Sequence, residues 1–126
     1  MTPGAICALL RLHVAASVLA LLLGVAQRHH VPGRVLLAVC AVESGLGTRG
    51  NILCGCAPQD ARRRGYPAQA ECAARSLAHG YAHCGTWPNA LRRYRYGLAH
   101  HGCPRRDPEQ YAPRVMRVAG RLGGAR

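Results

Sequence analysis

Seven cysteines in a chain of 126 residues constrain this protein more than any other feature of its sequence. A reducing cytosol gives unpaired thiols no advantage and exposes them to oxidation, so this density points to an exported chain stapled by disulfides. Six of the cysteines (Cys40, Cys54, Cys56, Cys72, Cys84 and Cys103) follow residue 30, and Cys7 lies in an apolar N-terminal stretch. Within that stretch Val14 to Ala26 carries no charge, follows Arg11 and His13, and offers small residues such as Ala20 and Ala26 for a peptidase. It is too short to span a membrane comfortably. Residues 1–26 therefore read either as an export segment, whose loss leaves an even number of cysteines, or as the first helix of the fold. Residues 27–126 form a single domain, since the chain is too short for two independent cores.

Periodicity predicts an all-α fold, because no alternation of polar and apolar residues is long enough for a sheet. Pro32 is placed as a first-turn proline, and Gly33 to Ser44 follows with apolar residues on all sides except at Arg34 and Glu43. Gly45 and Gly47 end that helix. The stretch from Gly50 to Gly65, with Arg62-Arg63-Arg64, reads as an exposed loop. Helical spacing resumes after Tyr66-Pro67, with Ala73, Leu77, Gly80, Tyr81 and Cys84 on one face. Thr86 is suited to cap the next helix, where Trp87, Ala90, Leu91 and Tyr94 share a face. A last helix is expected from Asp107-Pro108-Glu109, with Tyr111, Val115, Val118 and Leu122 inward and Arg114, Arg117 and Arg121 outward. An antiparallel hairpin brings Cys84 to Cys103, which leaves Cys72 for Cys54 or Cys56, and Cys40 as a buried thiol or as partner of the other.

Five acids face seventeen arginines, giving a formal charge of +12. That balance suits a polyanionic partner and says nothing about fold. Apolar residues make up 49% of the chain, enough to bury a core, so it is not a disordered basic tail. Each acid but one has an ordinary explanation: Asp107 as a helix cap with Glu109 in the same turn, Glu71 near a helix start, Asp60 as a solvated loop charge. Glu43 is the exception. At the C-terminal end of an apolar helix, both the dipole and loss of water favour its protonated form, the form a general acid needs.

The residues around Glu43 resemble a known family. Leu36 to Asn51, reading L-L-A-V-C-A-V-E-S-G-L-G-T-R-G-N, is similar to the catalytic helix end of the lysozyme-like superfamily, as in lytic transglycosylases and related glucosaminidases. Asn51 to Gly55 is similar to the cleft-lining segment that follows. Ala90 to Gly97, A-L-R-R-Y-R-Y-G, resembles the A-L-x-x-Y-N-x-G motif, with Arg95 in place of the asparagine. Tyr111 to Val115 resembles the closing helix. The G-L-M-Q segment of the family is absent, with Cys54-Gly55-Cys56 in its neighbourhood. The resemblance implies a small lysozyme-like helical domain with a cleft. It implies that Glu43 is the catalytic acid, with Ser44, Asn51, Tyr94 and Tyr96 contacting a peptidoglycan glycan strand at the bond between N-acetylmuramic acid and N-acetylglucosamine.

One acid suffices for a lytic transglycosylase, whereas a muramidase or glucosaminidase that hydrolyses the bond requires a second carboxylate. Asp60 is the candidate in a plausible loop. Neither cofactor nor metal is called for, and the expected state is a monomer with no stable membrane span, exported to the periplasm or cell exterior, or phage-associated. Two readings compete from other classes. A basic protein that binds nucleic acid or cell wall without catalysis would use the charge alone, but the scattered arginines argue against a specific nucleic-acid footprint. A zinc module would use His79, His83, Cys54, Cys56, Cys72 and Cys84, without paired C-x-x-C knuckles.

Overall fold

The computed structural model describes residues 2–10, 14–48, 53–56, 58–97 and 102–123, with the backbone course alone for 58–64. Six helices and no strand occur among them: α1 (Pro3–Leu10), α2 (Ala16–Arg28), α3 (Gly33–Ser44), α4 (Pro58–Cys84), α5 (Trp87–Tyr96) and α6 (Tyr111–Gly123). The all-α expectation holds, and no helix among the described residues is long and apolar enough to cross a membrane.

The central element is α3. Every residue from Val35 to Cys40 is buried, as its apolar circumference requires, and it packs against both α2 and α6. Its end is a glycine stop of the kind the sequence indicated. Gly45 takes a left-handed conformation, its N–H bonds the Ala41 carbonyl at 2.8 Å, and the Leu46 N–H reaches back to Cys40 at 3.2 Å. One stripe of α2, comprising Leu19, Leu22, Val25 and Ala26, also enters the core. On α6, Tyr111, Val115 and Leu122 face inward while Arg114, Arg117 and Arg121 remain exposed.

Three disulfides tie the helices together: Cys40 to Cys54, Cys56 to Cys72 and Cys84 to Cys103. The last is the pair expected from the hairpin. Cys54 goes to α3 rather than to α4, so the two cysteines flanking Gly55 anchor that residue to different helices. Closing loops of this length typically contributes about 2–4 kcal/mol per bridge. The zinc reading falls here, because all four of its cysteines are oxidised, and no cluster of metal-ligating side chains occurs among the described residues.

Three local expectations are corrected. The 50–65 stretch is not one exposed loop: Leu53 and Cys54 are fully buried, and helix begins already at Pro58. Side chains make that burial affordable, since Leu53 N donates to Gln69 Oε1 at 2.5 Å and Leu53 O accepts from Ser44 Oγ at 2.5 Å. Gly65, at φ 76° and ψ −167°, then breaks α4 in two, and Pro67 sits in the first turn after the break. Second, Glu71, in the second turn after the break, is not left to the helix dipole: it pairs with Arg28 at the end of α2 and with His29 just beyond it. Third, α6 starts at Tyr111, four residues after Asp107, because Gln110 adopts a left-handed φ of 52°. Asp107 still caps it, accepting from Tyr111 N at 2.7 Å and Ala112 N at 2.8 Å.

Candidate active site

Glu43 is the penultimate residue of α3, and the glycine stop at Gly45 lets the chain turn away so that its carboxylate is left half-buried at a cavity wall. The cavity holds about 560 Å3 and takes its walls from the 53–56 segment, α4 and α5, including Gly55, His79, Arg93, Tyr94 and Arg95. Gly55 lies against the acid. Its φ is +70°, and a methyl group there would lie 2.8 Å from Glu43 Oε2. Glycine is thus required both by backbone conformation and by the close approach of the carboxylate.

Two tyrosines back this arrangement. The Tyr94 hydroxyl donates to the Cys54 carbonyl at 2.5 Å, which clamps the segment bearing Gly55 onto α5. Burial first, and the nearby Glu43 charge second, push the Tyr94 phenol well above its ordinary range, so it stays a neutral donor. Tyr111, from the start of α6, stacks 6.5 Å from Tyr94. Its hydroxyl is buried without a partner at full hydrogen-bond geometry. Desolvation raises its pKa most, followed by the charge of Glu43, with Tyr94 and weak hydrogen bonding to Glu43 adding to it.

Arg95 supplies fixed positive charge on the same wall. Its guanidinium grips Glu109 with two hydrogen bonds, of 2.6 and 3.0 Å, and lies 5.9 Å from the centre of the Tyr111 ring. The Glu109 hydrogen bond does most to raise its already high pKa, with Glu43 contributing further.

No family model, curated protein or solved structure matches this chain.

The residues singled out from the sequence separate in space. Glu43 and Tyr94 share the cavity. Ser44 is buried, and its hydroxyl is spent on backbone: it points to Leu53 O and Cys40 O and accepts from Gly47 N at 2.9 Å, fastening the turn that follows α3. Tyr96 lines a different cavity, and its hydroxyl donates to Asp107 Oδ1 at 2.5 Å while accepting from Glu109 N at 3.1 Å. Asn51 lies outside the described residues, as does the side chain of Asp60.

Gly55 and Tyr111 were not among the expected site residues, although the segments that carry them, 51–55 and 111–115, are those that resemble a cleft lining and a closing helix. An aromatic on the apolar stripe of α6 looked like core, which it also is. Among the described carboxylates, Glu71, Asp107 and Glu109 are each committed to ion pairs or backbone N–H groups. Glu43 is the one that opens into a cavity. A carboxyl group so placed, between neutral phenols and a fixed cation, can donate a proton to a bound ligand oxygen and take one back.

Proposed function

We propose that this chain is a peptidoglycan-cleaving enzyme of the lytic transglycosylase type, with Glu43 as its single acid and base. The observation carrying this reading is that Glu43 is the sole described carboxylate lining the cavity. Protonated Glu43 would donate to the oxygen linking N-acetylmuramic acid to N-acetylglucosamine, and the bond to the anomeric carbon would break with departure of the sugar hydroxyl. The resulting carboxylate would then take the proton of the muramoyl 6-hydroxyl as that oxygen bonds the anomeric carbon, closing a 1,6-anhydro ring. No water is consumed. Tyr94 holds the cavity wall through Cys54, the buried Tyr111 phenol lies near the acid, and the net charge of +12 favours adhesion to an anionic wall. A retaining hydrolase would need a second carboxylate about 5–5.5 Å from the first, and no described carboxylate other than Glu43 lines the cavity.

Mass spectrometry of fragments released from purified peptidoglycan tests the proposal. Anhydromuramic ends are expected; reducing ends would overturn the single-acid mechanism in favour of hydrolysis. Glu43→Gln, nearly isosteric but unable to donate an acid proton, is expected to fold and to lose about 10²–10⁴-fold in rate. Undiminished lysis by that variant would remove Glu43 from the chemistry.

A further inference from the structure

A second cavity, of about 500 Å3, lies beyond the C-terminal end of α5, where Tyr96, Pro104 and Pro108 meet Arg105 and Arg106. The loop that builds it is tethered more heavily than an exposed connection needs to be. Cys103 is bridged to Cys84, Arg92 Nε donates to Pro104 O at 3.0 Å, and the Tyr96 hydroxyl holds both Asp107 Oδ1 and Glu109 N. Residues 102 to 110 add nothing to the buried core, so these tethers hold a surface shape.

The charge on that shape is unbalanced. Arg105 and Arg106 are exposed and have no ion-pair partner among the described residues. The nearby acids are spent elsewhere, Asp107 on Tyr96 and the start of α6, Glu109 on Arg95. A preorganised apolar pocket with two free guanidinium groups suits a ligand that combines aliphatic carbon with a carboxylate, since arginine matches a carboxylate in two parallel hydrogen bonds.

The two cavities share α5. Arg93 lines the Glu43 cavity and also donates to the Gly102 carbonyl of the second cavity at 3.5 Å. A helix is about 10 Å across. Half the circumference of such a helix is about 16 Å, and five residues of extended peptide span about 17 Å, which is the length a stem branching from a glycan in the first cavity needs to pass round α5 to the second.

We infer that this second cavity binds the acidic peptide stem carried by the muramic acid residue, through its carboxylates and Arg105 and Arg106. The inference rests on the proposed function for the identity of the peptide. It makes the enzyme selective for glycan strands that still bear their stems.

Calorimetric titration of the full, oxidised chain carrying Glu43→Gln tests it without turnover. The probes are a muramic acid disaccharide with its pentapeptide stem, the same disaccharide without peptide, and the stem-bearing form with its carboxylates amidated. The stem is expected to tighten binding by about tenfold, a difference of about 1.4 kcal/mol. Amidation, or Arg105→Gln with Arg106→Gln, should erase that gain and leave the bare disaccharide unchanged. Equal binding of the first two probes, or a preference that survives the arginine substitutions, overturns the inference. So does a glycerol phosphate polymer that binds through these arginines when the stem adds nothing. Failure of the wild-type chain to cleave peptidoglycan would defeat the enzymatic reading alone, because the stem preference is measured on a protein that does not turn over.

Discussion

Replacing Gly55 by alanine separates two effects that the site combines at one residue. The backbone there has φ +70°, and holding an alanine in left-handed conformation costs about 1–2 kcal/mol. The added methyl would also stand 2.8 Å from Glu43 Oε2 and 3.1 Å from its Cδ. Restoring ordinary contact requires the carboxylate to move by about 0.5–1 Å. Misplacement of a reacting group by about 1 Å costs up to about 10²-fold in rate, so Gly55→Ala should lower lysis by about 10- to 100-fold. Gly85→Ala is the matched control: its φ is +82°, yet nothing lies within 4 Å of the added methyl. Both variants should lose about 3–6 °C in Tm per kcal/mol of strain. Only Gly55→Ala should lose lysis beyond its loss of folded protein. Thermal unfolding by circular dichroism and turbidity clearance of purified peptidoglycan, run on both proteins, provide the comparison. Equal lysis by the two variants would refute the contact between Gly55 and the acid as a determinant of rate.

Tyr94→Phe removes the donor to the Cys54 carbonyl and should cost about 1–3 kcal/mol of stability, with turnover lowered as the Gly55 wall loosens; unchanged kinetics in steady-state assays would return Tyr94 to a packing role. Glu71 is held below the usual carboxylate value of 4.5, first by its hydrogen bond to Arg28 and then by that to His29. Because the folded-state value is the lower one, its contribution is complete above about pH 4.5 and is lost as acid approaches that lowered value. The Tm deficit of Glu71→Gln should therefore be largest above pH 5 and shrink toward pH 3, and a deficit constant across that range would argue against the ion pair. Nonreducing peptide mapping should recover three bridged pairs, and replacing Cys84 and Cys103 together by serine should cost about 3 kcal/mol in urea unfolding; six free thiols in folded protein would contradict the framework.

Where the determinants are local, the sequence was sufficient. Gly45 ends α3 because a left-handed conformation is a property of a single residue, while Pro32, expected in the first turn, stands just before the helix as its N-cap, with ψ 130°. Thr86 caps α5 by accepting from Asn89 N three residues on, and the arginine stripe of α6 follows from its period. The Cys84 to Cys103 bridge was legible because it closes one hairpin between neighbouring elements. Glu43 was legible for a related reason: a lone acid at the end of an apolar helix is conspicuous against only five carboxylates.

Tertiary structure decided the rest, through contacts between residues far apart in the chain. Glu71 looked like a helix-start acid until α2 brought Arg28 and His29 to it from more than forty positions away. Leu53 and Cys54 sit in a stretch whose glycines and arginines read as exposed loop, and they owe their burial to Ser44, Gln69 and Cys40. Tyr94 and Tyr96 are two positions apart on one short helix, and helical geometry turns them by about 200° into different cavities. Tyr111 reaches the acid because α6 packs on α3, a neighbour that no window of sequence contains. Backbone conformation responds to a residue and its immediate neighbours, so helices and their ends can be read along the chain. A site forms where distant segments meet, and which hydroxyl or carboxylate remains free there depends on partners that folding alone supplies.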